Sequence, residues 1–238
     1  MEPSPFTIGS PLHLAAVVAC FGLAALIAWL GIRLQPYPQT SQRLRYAIAL
    51  GCLIVWLINT VYWALPINFR WENSLPLHLC NLANLFGALA VWKKWRPAQS
   101  ITYYWSIGLC LCAFLTPSLD GGITSPGFWV FWIYHSLIPV SITYVLVVDR
   151  FRPSWSDFAG TTVLSLSYLF LLAGVDWVTG WNYGFVGRGK PINPSLIDSL
   201  GPYPIRILWI ALIGTMIFAL LTVPWLRRRG RPADVTTL

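Results

Sequence analysis

Charged residues are scarce in this chain, and their scarcity decides its class. Of 238 residues, 10% are charged and 56% are hydrophobic, whereas about a quarter of the residues of a soluble domain are charged. The hydrophobic residues come in long uninterrupted runs, without the alternation or the 3.6-residue stripe of soluble strands and helices. This composition excludes an ordinary soluble domain and predicts an integral membrane protein.

Three other sequence features are absent, and each absence excludes a type of structure or partner. No pair of cysteines has the loop spacing of a disulfide or zinc framework, so the five cysteines are expected to be small buried hydrophobes. No basic residue precedes the first apolar stretch, so we expect no cleaved signal peptide and a first helix that is retained. No long basic face exists among the 16 Lys and Arg residues, which argues against a nucleic-acid partner and makes these residues topology signals.

Seven apolar segments are long enough, or nearly so, to cross about 30 Å of hydrocarbon as helices. They are Pro11 to Ile32, Tyr46 to Leu65, Leu77 to Trp92, Ile101 to Leu119, Phe128 to Val148, Phe158 to Val175, and Ile207 to Leu226. We therefore predict a single all-α domain over residues 1–238, a polytopic membrane bundle of seven transmembrane helices. The third span is the shortest and the most polar.

The basic residues divide unequally between the two faces of this topology. Twelve fall on one face, namely Arg33, Arg43, Arg45, Lys93, Lys94, Arg96, Arg150, Arg152, Arg227, Arg228, Arg229 and Arg231. The other face receives four, namely Arg70, Arg188, Lys190 and Arg206. The positive-inside rule makes the first face cytoplasmic. We therefore expect a multi-pass protein of the cell membrane with its amino terminus outside and its carboxyl terminus in the cytoplasm.

Ionisable residues in or beside a span are costly in lipid and tend to face the interior of a bundle. In the predicted topology they gather near the outer ends of spans three to six, at His78, Asp120, His135 and Asp176. A functional site is therefore expected to open toward the extracytoplasmic leaflet.

Cys80 is the candidate nucleophile of such a site. The segment from Ser74 to Asn81 is typical of a helix start, with Ser74 as the cap and Pro76 in the first turn. Cys80 then lies within about two turns of a helix amino terminus, whose partial positive charge stabilises a thiolate.

Two histidines are candidate partners of Cys80. On a regular helix the His78 side chain points about 160° away from that of Cys80. His135 lies about 10 Å inside the fifth span, a depth compatible with the depth of about 5 Å for Cys80 in the third. Pro139 leaves the His135 carbonyl without its helical donor, and in lipid such a carbonyl needs another polar partner. The depth of His135 and its unpaired carbonyl favour His135 over His78 as the partner of Cys80.

Each candidate also has a structural interpretation. For Cys80 this is a small packing residue, which is the commoner role of a buried cysteine, and for His135 it is a hydrogen bond between helices. Asn81 and Asn84 are expected to join helices rather than to catalyse a reaction. Two deep histidines are too few for a zinc or haem site, so no metal and no other cofactor is predicted.

Four motifs carry a resemblance to a known family. They are Leu75-Pro76-Leu77-His78-Leu79-Cys80, Tyr134-His135-Ser136, Asn182-Tyr183-Gly184-Phe185 leading to Lys190-Pro191, and Gly201-Pro202-Tyr203-Pro204. In this order the chain resembles the YwaF-like integral membrane proteins, which are grouped with the transmembrane protein 164 acyltransferases. The resemblance covers about Leu75 to Pro204, and its last two motifs are the most specific.

The resemblance implies an enzyme that moves fatty acyl chains between membrane phospholipids, with Cys80 and His135 as the catalytic pair. Cys80 would hold the acyl chain as a thioester, and His135 would carry the proton. His78, Asn81, Asn84 and Asp176 are predicted supporting residues, with Asn84 or Asp176 as candidates to orient the histidine. Asn182, Tyr183, Arg188 and Lys190 are predicted to bind substrate; the two cations match a lipid phosphate, although a solvated loop explains them as well.

Two other classes of function stay open at this point. The polar third span and the proline in the fifth are also compatible with a transporter or a receptor-like membrane protein. Transporters commonly have repeated halves and a midplane site, and the sequence has neither feature. A structural or assembly role has no positive sign in the sequence.

Overall fold

The computed structural model describes residues 6–72, 74–119, 121–188 and 196–226, and within this part of the chain all regular structure is helical. The α-helices are α1 (Pro11–Arg33), α2 (Pro38–Ala64), α3 (Leu79–Lys93), α4 (Arg96–Gly108), α5 (Cys112–Leu115), α6 (Pro126–Val147), α7 (Trp155–Thr179) and α8 (Ile205–Leu226). Two short 3₁₀ helices, Tyr183–Phe185 and Leu196–Leu200, lie between α7 and α8. The predicted all-α membrane bundle is confirmed.

Six helical segments are long and apolar enough to cross a membrane: α1, α2, α4 with α5, α6, α7 and α8. The third predicted span differs, because α3 has only 15 residues. A helix of that length spans about 22 Å, less than the hydrocarbon thickness of about 30 Å. The chain instead approaches α3 through a non-helical segment, and His78 and Cys80 lie at this junction.

The fourth predicted span, Ile101 to Leu119, is interrupted. Helix α4 ends at Gly108, and the four-residue helix α5 follows after a turn. Glycine is a weak helix former, and a Cβ at Gly108 would come within 2.9 Å of the Phe218 ring on α8. Glycine therefore permits the close approach of α8, and the turn that follows carries Cys110.

Helix α3 lies at the centre of the bundle, packed against α2, α4 and α6. Its buried face consists largely of small residues, namely Ala83, Asn84, Gly87, Ala88, Ala90 and Val91. A Cβ at Gly87 would lie only 2.8 Å from the Ser141 hydroxyl of α6. Small residues let transmembrane helices approach closely, and here they hold α3 beside the polar half of α6.

A buried ion pair closes the opposite end of the bundle. The Arg45 guanidinium on α2 donates to the Asp149 carboxylate after α6, at 2.5 and 3.0 Å, and to the Val91 carbonyl of α3 at 2.6 Å. The pair joins three helices at one point. Which side of the membrane this end faces stays a prediction from the positive-inside rule.

Candidate functional site

The amino terminus of α3 carries Cys80 as the second residue of the helix. His78 is the N-cap, with an extended backbone (φ −71°, ψ 143°) and no side-chain cap. The predicted cap, Ser74, instead accepts a hydrogen bond from the Arg70 amide at 2.8 Å. The helix thus begins two residues after the predicted start at Leu77.

This later start changes the relation of His78 to Cys80. The angle of about 160° assumed a continuous helix through both residues. Because His78 precedes the helix, that angle does not apply, and His78 interacts electrostatically with the Cys80 thiol. The His78 ring also lies 5.2 Å from the Tyr183 ring, measured between centroids.

Two tyrosines fix the non-helical segment that leads into α3. The Tyr183 hydroxyl donates to the Trp71 carbonyl at 2.6 Å and accepts from the Leu75 amide at 2.9 Å. The Tyr168 hydroxyl of α7 donates to the Leu77 carbonyl at 2.5 Å. Burial raises the pKa of Tyr183 above its ordinary value, so its hydroxyl stays protonated and able to donate. These bonds hold the residues that precede Cys80.

Asp176 supports the same segment from the carboxyl end of α7. Its carboxylate is buried and accepts the Tyr183 amide at 3.0 Å. The Asn182 side chain accepts the Gly187 amide at 2.8 Å and closes the following loop. The structure thus gives Asp176, Asn182 and Tyr183 partners within the protein, and these contacts support the approach to α3.

The Cys80 side chain lies among groups from its own helix, from α6 and from the turn after α4. It is partly exposed and packs against the cluster of Ala83, Cys110 and Ile138. Its thiol is close enough to the Cys110 thiol and to the His135 imidazole to interact with both. Cys110 itself is 2% exposed. Cys80 is therefore the more exposed residue of the pair.

His135 is held in one orientation by its own helix. It is 6% exposed and lies nine residues after Pro126, and its Nδ1 atom lies 2.8 Å from the Phe131 carbonyl oxygen. A carbonyl only accepts hydrogen bonds, so Nδ1 is the donor and Nε2 of the neutral ring carries the lone pair. The Phe131 ring packs on the imidazole at 4.0 Å between centroids. In the neutral ring of His135, Nε2 is therefore the hydrogen-bond acceptor.

The two asparagines of α3 have different environments. Asn81 Oδ1 accepts from Asn59 Nδ2 of α2 at 3.1 Å, which is the helix-joining contact expected from the sequence. Asn84 donates from Nδ2 to the carbonyls of Cys80 and Tyr134, at 3.4 and 3.3 Å. Its buried Oδ1 has no hydrogen-bond partner among the described residues.

The amino-acid sequence also shows to which family the chain belongs. The model of the TMEM164 family matches residues 8–222. The chain belongs to the TMEM164 family. No curated protein and no solved structure matches it significantly. The family match covers all the motifs of the resemblance, and together with the apolar helices it makes this chain an integral membrane protein.

A cation in the loop between α7 and α8 of this TMEM164 family member lies against aromatic rings. The Arg188 guanidinium is 4.4 Å from the centre of the Trp177 ring and 5.2 Å from that of Tyr203. Such stacking leaves the edge of an exposed guanidinium able to bind an anion. Lys190, the second predicted cation, lies outside the described residues, as does Asp120.

Three features of the site were not predicted from the sequence. Cys110 resembled any buried cysteine, and only the turn after α4 brings it to Cys80. Tyr134 was visible as part of the Tyr134-His135-Ser136 motif but had no assigned role. The Phe131 carbonyl is main chain and leaves no sequence signal. Within the described residues, no three His, Cys, Asp or Glu side chains are arranged to hold a metal ion.

Proposed function

We propose that this TMEM164 family protein is an acyltransferase of membrane phospholipids that carries the acyl chain as a thioester on Cys80. The observation that carries the proposal is the proximity of Cys80 to the His135 imidazole, whose Nδ1 atom is fixed on the Phe131 carbonyl. A nucleophile beside a base that is itself oriented by a third group is the general arrangement of covalent catalysis.

The reaction follows from the positions of these groups. His135 Nε2 accepts the Cys80 proton, and the thiolate sulfur attacks the ester carbonyl of a phospholipid. When the ester C–O bond breaks, the imidazolium returns the proton to the departing alkoxide, which leaves as a lysophospholipid. A second lysophospholipid then gives its hydroxyl proton to His135 and attacks the thioester, which restores the Cys80 thiol.

Helix α3 favours the thiolate form of Cys80. The first turn of a helix presents unpaired amide groups with a partial positive charge, which stabilises a nearby anion. Because Cys80 is the second residue of α3, its sulfur lies in this field. A mid-helix cysteine such as Cys52, which is fully buried in α2, lacks both the field and the access.

Arg188 supplies a binding site for the lipid headgroup in this proposal. Its guanidinium is stacked on Trp177 and Tyr203 at the end of α7 from which Asp176 and Tyr183 support the approach to Cys80. Phosphate is bound well by guanidinium groups. We place the headgroup at Arg188 and the acyl ester at Cys80, in the outer leaflet of the cell membrane.

The test is acyl exchange in reconstituted vesicles. The full chain is placed in vesicles of phosphatidylcholine with a deuterated acyl chain and unlabelled lysophosphatidylethanolamine, and the lipids are analysed by mass spectrometry. Transfer of the label is expected with the natural chain and is expected to be lost with Cys80→Ala and with His135→Ala. Cys52→Ala is the control. Transfer that survives Cys80→Ala at equal protein abundance would overturn the proposal.

A further inference from the structure

Tyr134 is a buried tyrosine near Cys80 whose hydroxyl group has no role in the proposed reaction. Tyr134 is 4% exposed, and its hydroxyl, although close to the Asn84 side chain, has no acceptor for its own proton among the described residues. It lies beside the Asn84 side chain and is close enough to both Cys80 and Cys110 to interact with their sulfur atoms electrostatically. A buried hydroxyl proton without an acceptor is costly, so its persistence here calls for a ligand.

Acyl transfer through Cys80 creates a need for one more hydrogen-bond donor. When a thiolate adds to an ester, negative charge develops on the carbonyl oxygen, and enzymes place donors at that oxygen. Asn84 does not fill this role, because its Nδ2 group already donates to the carbonyls of Cys80 and Tyr134. Its Oδ1 atom is an acceptor and would repel the oxyanion. His135 holds the proton taken from Cys80 and donates it to the leaving oxygen, so it is not the donor to the oxyanion.

We infer that Tyr134 is a further catalytic residue, whose hydroxyl donates a hydrogen bond to the oxyanion formed when Cys80 attacks the acyl ester. The inference rests on the proposed function and adds a residue to it. The Tyr134 ring meets the His135 ring edge-on at 4.8 Å between centroids. The two neighbouring residues of α6 thus act on the same substrate group: His135 moves the proton and Tyr134 binds the oxygen.

The step balances without an added reactant. The Cys80 sulfur forms a bond to the carbonyl carbon, and the π electron pair of the C=O bond moves to oxygen, where Tyr134 donates its hydrogen bond. The pair then returns, the C–O bond to the leaving group breaks, and the leaving oxygen takes the proton held by His135 or departs as a stable anion. Tyr134 keeps its own proton throughout.

The experiment compares two reactions of the Cys80 thiol in the purified full chain. Acylation by p-nitrophenyl hexanoate passes through an oxyanion and requires no lipid headgroup. Alkylation by iodoacetamide is a direct displacement that forms no oxyanion. Tyr134→Phe is compared with Tyr144→Phe, since Tyr144 lies on the same helix, is fully buried and also has its hydroxyl close to one polar side chain, that of Ser41.

Loss of one oxyanion donor lowers a rate by about 10²–10³-fold. We expect Tyr134→Phe to lower the acylation rate by about this factor and to leave the rate of Cys80 alkylation within about twofold. Tyr144→Phe should change neither rate. Equal loss of acylation and alkylation in Tyr134→Phe would overturn the inference, because the residue would then act on the thiol or on the fold.

Two other results separate this inference from the proposed function. If the natural chain is acylated at Cys80 and Tyr134→Phe is acylated as fast, Tyr134 has no catalytic role, but the thioester chemistry stands. If Cys80 of the natural chain is alkylated and never acylated, the proposed function fails, and the role of Tyr134 fails with it.

Discussion

The Nδ1 atom of His135 lies 2.8 Å from the carbonyl oxygen of Phe131, one helical turn earlier on α6. This contact determines which ring nitrogen is basic, because the carbonyl accepts and Nδ1 must donate. Asp176, a sequence candidate for this orienting role, lies at the end of α7 and accepts the Tyr183 amide instead. The orienting group of the site is therefore built into the helix that carries the histidine.

The first prediction concerns His135 as the base. His135→Ala is expected to slow acylation of Cys80 by p-nitrophenyl hexanoate by about 10²–10⁴-fold, the usual contribution of a general base. The measurement is the first-order rate of p-nitrophenolate release. Alkylation of the partly exposed Cys112, followed in the same samples by peptide mass spectrometry, is the internal control. An unchanged acylation rate would remove His135 from the mechanism.

Tyr183→Phe is expected to loosen the segment that leads into α3. The change removes a donor to the Trp71 carbonyl and an acceptor from the Leu75 amide, at a cost of about 1–3 kcal/mol. Because the raised pKa of Tyr183 lies above the ordinary tyrosine value of about 10, the hydroxyl stays protonated near neutrality. The effect should therefore be equal at pH 6 and pH 8.

Thermal unfolding in detergent and the rate of Cys80 alkylation measure this loosening. Tyr46→Phe on α2 is the control, since the Tyr46 hydroxyl accepts a single exposed hydrogen bond from Gln42. A Tyr183→Phe protein with the natural unfolding midpoint and alkylation rate would contradict the supporting role given to Tyr183.

The third prediction concerns the buried ion pair of Arg45 and Asp149. Arg45→Gln leaves the 3% exposed Asp149 side chain with the Lys94 ammonium, 3.8 Å away, as its remaining ion-pair partner among the described residues. Removing one partner of a buried pair costs about 3–5 kcal/mol. Arg96→Gln is the matched control, because the Arg96 side chain is 53% exposed and such pairs contribute about 0–1 kcal/mol. Equal shifts of the unfolding midpoint in both variants would contradict the structural role of Arg45.

Gly31→Ala is expected to disturb the packing of α1 on α6. A Cβ there would lie 2.6 Å from Val148 and 2.8 Å from the Tyr144 ring, and such overpacking costs about 1–3 kcal/mol. Gly22→Ala on the same helix meets no atom within 4 Å and should be neutral or slightly stabilising. The unfolding midpoints of the two variants are compared by thermal unfolding. A Gly31→Ala protein with the unfolding midpoint of the natural chain would contradict the packing of α1 on α6.

The apolar helices of this protein were predictable because lipid imposes length and hydropathy on each span. Helix α1, predicted from Pro11 to Ile32, is observed from Pro11 to Arg33. Helix α2 begins at Pro38, eight residues before its predicted start, since its polar first turns project beyond the apolar run. Hydropathy detects the apolar part of a helix and misses such polar extensions.

The site was predictable only in part, for reasons of geometry. The similar depths of Cys80 and His135 in two spans favoured this pair, and its catalytic role stays a prediction. The position of His78 relative to Cys80 was not predictable in this way. The rotation of about 100° per residue holds only within a helix, and His78 precedes the helix. Cys110 reaches Cys80 through the turn after Gly108, and a single glycine in an apolar run does not reveal such a turn. Long-range contacts of this kind depend on packing and not on local pattern.

The central claim is that Cys80 carries the acyl chain. The most direct test incubates the purified full chain with 1-palmitoyl-2-oleoyl phosphatidylcholine vesicles, quenches in acid and measures the mass of the peptide that contains Cys80. We predict a mass increase equal to one fatty acyl group, released by neutral hydroxylamine and absent from His135→Ala. Phospholipid turnover with an unmodified Cys80 peptide at every time point, or an acyl group on another residue, would contradict it.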